Sequence, residues 1–506
     1  MKKGIVYLVG AGPGDPELLT LKGRRCLASA DIVVGDYLAD RHLLALASPD
    51  AEYIYVGKKA GNHAMKQEEI SRLLVHLAGE GKTVVRLKGG DPLVFGRGAE
   101  EAALLAENSI PFEIVPGITS AIAAAAYAGI PVTSRGVSAS FAVITGHEDP
   151  AKKNSAIHWD ALAHAVDTLV ILMGVSRLPY ITGELIRYGK SPDTPAALVR
   201  WGTKPEQKVL VTTLGKAADD CAEAGMKPPA VLIVGPVVNL RNTLQWFDNR
   251  PLFGKTILVT RARTQASRLS SALSALGASC LEIPAISIQD PCDHFQELDR
   301  ALSHLEHYGW ILFTSVNGVS RFFSRLALSG RDSRCLCHSR IGAIGSATAE
   351  ALKKQGISAD CVPSVFRAES FLESLKPHIQ AGTEILIPRA EKARDVLPEG
   401  LRALGAHVHI AAAYRTETAA DETARLRSIL TSGNADLITF TSSSTVENVM
   451  KMISGHTDIL QSVPIACIGP ITADTCRRFG LTPAVTAETY TIAGLCDAIQ
   501  KWSENQ

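Results

Sequence analysis

The turn Gly10-Ala11-Gly12-Pro13-Gly14-Asp15 follows an apolar run and precedes an amphipathic one. Glycines at this spacing bring bare backbone N–H groups close to a ligand, with no Cβ in the way. A dinucleotide is one reading. Gly10-Ala11-Gly12 fits the start of G-x-G-x-x-G, and Asp36, after the apolar Ile32–Val34, imitates the acidic ribose contact. The third glycine position, however, is Asp15. A carboxylate there would face the pyrophosphate at a helix N-terminus, where an anion is wanted as ligand and not as neighbour. Asp15 reads better as an N-cap, with Pro16 at the first helical position and Glu17 in the first turn. A nucleoside triphosphate loop is excluded because no G-K-[ST] follows. The turn therefore suits a phosphate-free ligand that needs close backbone approach and apolar walls. S-adenosylmethionine, an adenosine carrying a sulfonium and an amino acid, is such a ligand.

The second half holds no G-x-S-x-G, no H-E-x-x-H and no glycine-rich phosphate loop. Hydroxyls recur there at the ends of apolar runs: Thr314-Ser315, Ser346, Thr348, Thr441 to Ser444, and Thr472. Any one of them is an ordinary helix N-cap. As two sets facing across a cleft, with free helix N–H groups, they would hold a polycarboxylate. Cys335-Leu336-Cys337-His338 has the wrong spacing for zinc and no second half, so no metal is expected.

The elements that must position these residues follow an α/β pattern. Strand candidates in the first half are Ile5–Val9, Ile32–Val34, Thr83–Leu87, Phe112–Val115, Phe141–Thr145, Thr168–Met173, Ala196–Val199 and Ala230–Val234. Most are followed by Gly, Pro or Asp and an amphipathic run. Asn239 to Lys255 has weak periodicity and reads as a junction, after which a strand opens at Thr256. The second half contains an internal repeat. ILVTRA (257–262) returns as ILIPRA (385–390), LFTSVNGV (312–319) as TFTSSSTV (439–446), and AIGSATAEAL (343–352) as CIGPITADTC (467–476). Two similar α/β lobes with a ligand cleft between them are expected.

The bulk numbers agree. A chain of 506 residues holds two to four domains, and 46% apolar with 20% charged residues is a globular balance. A net charge of +1 excludes a global basic field for nucleic acid. Ten cysteines without a CxxC pair fit free thiols in a reducing compartment. The opening MKKGIVYLVGAG has too short an apolar run for a signal peptide, and no run approaches 18 apolar residues. A cytoplasmic protein with no membrane partner is expected.

Five further stretches follow the opening turn in order: VRLKGGDPLVFGRGAEE (85–101), VPGITSAIAAAAYAGIPVTSR (115–135), ITGH (144–147), TLVILMGV (168–175) and AALVRWGT (196–203). With them the first half resembles the uroporphyrinogen-III C-methyltransferase family of tetrapyrrole methyltransferases. The resemblance implies a two-lobed methyltransferase fold and an S-adenosylmethionine pocket, with S-adenosylhomocysteine as product. The pocket falls on Pro13, Gly89, Gly90, Asp91, Val94, Thr119, Ser120, Met173 and Gly202. It further implies an acid–base role for Asp36 and Lys58. Trp201 is bulkier than the pattern anticipates. For a substrate rich in carboxylates, Lys58, Lys59, Arg86, Lys88, Arg97 and Arg135 are candidate partners.

ILVTRA, FTSVNGV, IGSATAEAL, VPSVFRAESFLESL, ILIPRA, AAAYRTE and FTSSSTVENV together resemble uroporphyrinogen-III synthase. That resemblance implies closure of hydroxymethylbilane to a ring with one pyrrole inverted, without cofactor or metal. It puts Tyr414 and Thr472 near the leaving group, with Thr441, Ser442 and Ser346 as further substrate contacts. Residues 1–248 would then be the methyltransferase and 252–506 the synthase. The substrates are small tetrapyrroles. The first half implies a homodimer, and a separate dehydrogenase and chelatase must act downstream. The alternative is a methyltransferase joined to a non-catalytic tetrapyrrole-binding module.

Overall fold

The apolar runs that open the chain become the strands of a parallel sheet. The computed structural model describes residues 3–57, 65–147, 156–260, 263–418 and 422–506; Lys58 and Lys59 lie outside the described residues. The chain divides into two compact units. One runs through Lys255 and includes Leu273–Ser279; the other comprises Thr256–Ala272 and Cys280–Asn505.

In the first unit, strands β1 (Ile5–Gly10), β2 (Ile32–Gly35), β3 (Glu52–Tyr55), β4 (Thr83–Lys88) and β5 (Phe112–Val115) form a sheet of order β3-β2-β4-β1-β5. All its pairs are parallel. Val6 and Leu8 of β1 face Ile70, Leu74, Ala102 and Leu105 from helices Gln67–Gly79 and Gly98–Glu107. Val9 faces Leu27 of helix Leu21–Ala28 on the other side. A sheet covered on both faces needs the near-continuous apolar strands the sequence supplies.

The second sheet is mixed. β6 (Phe141–Thr145), β7 (Thr168–Leu172), β8 (Pro195–Arg200), β9 (Lys208–Thr213) and β10 (Ala230–Val234) run in the order β6-β7-β10-β8-β9. Only β6 and β7 pair in parallel. Helix Ser120–Tyr127 lays Ala121, Ala124 and Ala125 on one face of this sheet, against Val170, Val199 and Val231. Alanines allow the close approach.

All eight strand candidates of the first half are strands, with two differences. Met173 falls just past β7, and β3 and β9 are additional. Asp15 caps a short 3₁₀ turn, Pro16–Leu18, accepting from the Glu17 N–H at 2.9 Å. Helix Leu21–Ala28 then starts under a separate cap, Thr20. Asp15 also accepts from the Tyr127 hydroxyl at 2.7 Å, and its N–H donates to Thr203 Oγ1 at 3.0 Å. The glycine turn is thus tied to the second sheet's lobe. Burial, and then this carboxylate, push the Tyr127 phenol well above its ordinary range. The stretch read as a junction is packed: Phe247 and Leu252 are buried, Trp246 meets Tyr127 edge-on, and Phe247 packs on it at a tilt.

The second unit has two sheets. Its strands are β11 (Thr256–Val259), β12 (Ser279–Glu282), β13 (Ile286–Gln289), β14 (Trp310–Phe313), β15 (Arg340–Ala343), β16 (Glu384–Ala390), β17 (His407–Thr418), β18 (Leu437–Phe440), β19 (Ile465–Cys467) and β20 (Val485–Thr486). One sheet has the order β12-β11-β18-β19-β20, the other β13-β17-β16-β14-β15. The two similar lobes are present, but the consecutive copies of the repeat exchange parts. β11, from ILVTRA, pairs with β18, from TFTSSSTV, while β16, from ILIPRA, pairs with β14, from LFTSVNGV. Each lobe therefore takes its first strand from one copy and its FTS and IG strands from the other. Among the described residues, no helix is long and apolar enough to cross a membrane.

Candidate functional site

β4, β1 and β5 are neighbours, so their carboxyl ends deliver three turns to one place, the usual ligand position of an open α/β sheet. These are the opening glycine turn, Gly89-Gly90-Asp91 and Pro116-Gly117-Ile118. Gly12 and Gly90 exchange backbone hydrogen bonds, N–H to carbonyl, at 3.2 and 2.8 Å. Asp91 organises the rest. One carboxylate oxygen accepts from Gly117 N–H at 3.0 Å, the other from Leu93 and Val94 N–H at 2.8 and 3.2 Å.

Above these turns lies a cavity of about 570 Å³, a volume suited to a small ligand. Pro13, Gly89, Gly90, Asp91, Val94, Thr119, Ser120, Met173 and Gly202 all line it. They come from both lobes of the unit. Asp36, at the end of β2, lines it too, as do Lys88 and Arg97. Arg135 is exposed and is not part of the lining. The backbone is strained around this space. Phe95, Arg97, Met173 and Trp201 all line it with left-handed φ values of 50° to 59°. Such conformations cost about 1–3 kcal/mol each and cluster where a surrounding structure imposes them. At Gly202 a Cβ would stand 2.5 Å from the Ala124 Cβ, so only glycine fits against that helix. Trp201 packs edge-on to Tyr37, ring centroids 6.0 Å apart. Trp201, the bulky residue of the AALVRWGT stretch, lines the cavity, as do Phe95, His147 and Pro228-Pro229, which the sequence did not single out. The Pro-Pro pair directly before β10 was the available signal.

A buried charge network stands behind one wall. The Glu101 carboxylate, fully buried, accepts on Oε1 from Lys88 Nζ at 2.8 Å, Gln67 Nε2 at 2.9 Å and Arg86 Nε at 3.2 Å. Arg86 Nη2 reaches Asp36 Oδ2 at 3.0 Å, and its Nη1 donates to the Val34 and Leu87 carbonyls. Arg86 is thus committed within the protein and does not line the cavity. Burial, then the Arg86 guanidinium, pull the Lys88 ammonium below its ordinary range, with Glu101 opposing them. Arg97 forms a two-bond pair with Glu100, at 2.8 and 2.7 Å.

In the second unit the predicted residues divide between lobes. Tyr414, on β17, is buried, and its hydroxyl lies 3.0 Å from Ser315 Oγ, the N-cap of helix Val316–Leu328. Burial pushes this phenol up. Ser346 opens helix Ser346–Lys354 in the same lobe and is exposed. Ser442 caps helix Ser443–Met452 in the other lobe, with Thr441 just before it. Thr472, buried, lies in the first turn of helix Pro470–Arg478. This helix is tied to the start of helix Ser443–Met452 by Thr475 Oγ1 donating to Ser443 Oγ at 2.8 Å.

Comparison with known proteins follows the same division. Residues 5–218 match the model of the tetrapyrrole (corrin/porphyrin) methylases, and residues 267–497 that of uroporphyrinogen-III synthase HemD. The porphyrin biosynthesis protein HemD of Ruminiclostridium josui is 40% identical over 500 residues, covering 99% of this chain and 98% of that protein. The uroporphyrinogen-III C-methyltransferase of Priestia megaterium is 55% identical over 236 residues, 47% of this chain and 99% of that enzyme. Among solved structures, the uroporphyrin-III C-methyl transferase of Thermus thermophilus complexed with S-adenyl homocysteine is 44% identical, with a TM-score of 0.41. It covers 47% of this chain and 100% of that one. Matched along its whole length in this way, the chain belongs to the family of porphyrin-biosynthesis proteins that join a tetrapyrrole methylase to a uroporphyrinogen-III synthase.

Proposed function

We propose that the chain is a bifunctional enzyme of tetrapyrrole synthesis. Its second unit closes hydroxymethylbilane to uroporphyrinogen III. Its first unit methylates that ring at C2 and C7 with S-adenosylmethionine, giving precorrin-2 for sirohaem or cobalamin. The observation that carries the reading is the convergence of separate turns from two sheets on one cavity.

The donor fits this cavity. Leu172, Val199 and Val231 supply apolar wall, and the glycine turns supply backbone where a Cβ would collide. S-adenosylmethionine supplies an already activated methyl group when bound. The residues present would hold it and exclude water, so that the reacting atoms meet in line. Asp36 is the candidate base for the proton the methylated macrocycle must lose. Lys88 and Arg97 are the described cations in the lining that suit the acceptor's carboxylates.

In the second unit, orientation of a flexible chain is the main task, and Tyr414 is the candidate proton donor to the leaving hydroxyl. Its neutral phenol, held by Ser315, suits donation. Tyr414→Phe is expected to slow enzymatic closure roughly 10²-fold. The spontaneous type I ring would then dominate the isomer ratio, whereas unchanged type III yield would remove Tyr414 from the mechanism. The same reading takes the protein as cytoplasmic and homodimeric through its methyltransferase half, with a separate dehydrogenase and chelatase completing the route.

The test is one anaerobic incubation with fresh hydroxymethylbilane, with and without S-adenosylmethionine, products separated by isomer and mass. Type III ring without the donor and a dimethylated ring with it are expected. Type I ring alone, with dimethylation of added type III, would make the second unit a binding module.

A further inference from the structure

Glu101 is an acid on the inner face of its helix. In helix Gly98–Glu107 the buried positions are Gly98, Glu101, Ala102 and Leu105, the spacing of a core-facing stripe. A carboxylate in that stripe is costly unless cations meet it there. Two do. Lys88 and Arg86 point from the same strand to one oxygen of Glu101, and Gln67 of helix Gln67–Gly79 adds a neutral donor. The other oxygen, Oε2, is buried without a hydrogen-bond partner. Glu101 does not line the cavity, but Lys88 and Asp36 do, and Arg86 links Asp36 to Glu101.

Resting on the methyltransferase reading, we infer that Glu101 is a positioning residue of that site: it holds the Lys88 ammonium in the cavity wall and, through Arg86, fixes the Asp36 carboxylate beside it. The geometry gives each member one role. Arg86 is spent on Asp36, Glu101 and two carbonyls, so it is a strut. Lys88 gives one of its three ammonium donors to Glu101 and, with 5% of its side chain exposed, belongs to the cavity lining; the proposed role gives its remaining donors to an acceptor carboxylate there. Without Glu101, two cations of one strand would stand buried side by side, left with Asp36 and the Glu100 that Arg97 already pairs. Lys88 would then lose its proton more easily. The charged groups acting on Lys88 are Arg86 on its own strand, Glu101 and Glu100 on the facing helix, and Asp36 at the end of β2; Arg97 pairs with Glu100. Replacing Glu101 removes the nearest anion of that set.

The experiment uses the full-length protein with uroporphyrinogen III added directly, steady-state methylation across pH, and S-adenosylhomocysteine binding by calorimetry. E101Q is expected to lose about 10²-fold in kcat/KM for the tetrapyrrole, the scale of a misplaced reacting group. The alkaline limb of its pH profile should move to lower pH, with S-adenosylhomocysteine affinity unchanged. E101D, a carboxylate on a shorter arm, should recover part of the rate and of the limb. An unshifted profile with wild-type kcat/KM, or E101D no better than E101Q, would overturn the inference. If E101Q loses S-adenosylhomocysteine binding, the double variant E101Q/K88M decides. Recovered binding assigns the loss to the unpaired Lys88 charge and supports the inference. Continued loss makes Glu101 purely structural and overturns it. A wild-type protein that binds S-adenosylhomocysteine yet methylates no uroporphyrinogen III would refute the activity reading itself, before any variant is compared.

Discussion

Asp36→Asn is expected to lower uroporphyrinogen III methylation by roughly 10²- to 10⁴-fold, the range for removing a positioned general base. S-adenosylhomocysteine should still bind, and hydroxymethylbilane should still be cyclised. The argument starts from the chain. Asp36 follows Gly35 at the carboxyl end of β2, so the sheet itself sets it at the cavity rim. Leu38 N–H donates to Oδ1 at 3.1 Å and Arg86 to Oδ2 at 3.0 Å, which fixes the carboxylate plane. With 29% of its side chain exposed, it remains within reach of a ligand. Asparagine keeps the size and one acceptor but cannot take a proton. The measurement is the methylation rate from pH 6 to 9, beside cofactor affinity and type III yield in the same preparation. An unchanged rate and profile would take the base role away from Asp36. A fall in binding as well as rate would recast it as a pocket residue.

What the sequence made legible follows from locality. The inner strands of the first unit are short apolar runs bounded by turn residues, and they can be read directly. β3 and β9 are edge strands with exposed and half-buried positions, EYIY and KVLVTT, so they lack the continuous apolar signal. Asp15 was legible as a cap because capping is local. Its second partner, Tyr127, lies in another lobe and was not. The repeat in the second half showed which segments are alike. It could not show that β11 pairs with β18 and β16 with β14, because pairing between copies is a tertiary choice. The cavity lining was legible through joint motif register, each residue being unremarkable alone. The cations were less so. Lys88 and Arg97 line the cavity, Arg86 is absorbed by a buried carboxylate, and Arg135 is exposed elsewhere. Charge type alone does not reveal which partner folding will bring.

Gly117→Ala is the sharpest structural test of how the cavity floor is built. A Cβ on Gly117 would stand 2.2 Å from the Gly90 carbonyl oxygen and 2.6 Å from the Gly10 Cα. Both neighbours are backbone, so neither can rotate away. The Gly90 carbonyl also accepts from Gly12 N–H, and pushing it aside breaks the bridge between the two ligand-facing turns. Overpacking of this kind costs about 1–3 kcal/mol, enough to lower the melting temperature of the first unit by roughly 2–10 °C. Cofactor affinity should fall at least ~10²-fold, since turn positions that hold a ligand tolerate little displacement. Gly183 is the control. It lies in helix Leu178–Arg187 of the same unit, and a Cβ there meets nothing within 4 Å. Gly183→Ala should bind cofactor normally and gain up to ~1 kcal/mol from helix propensity. Both variants should still produce type III ring from hydroxymethylbilane, because the synthase unit has its own cores. Calorimetry with S-adenosylhomocysteine on the two variants, beside the isomer assay, separates a local collision from general loss of fold. Normal affinity in Gly117→Ala would mean that the three turns part easily, and that the cavity floor is not the rigid backbone contact on which the cofactor site is argued.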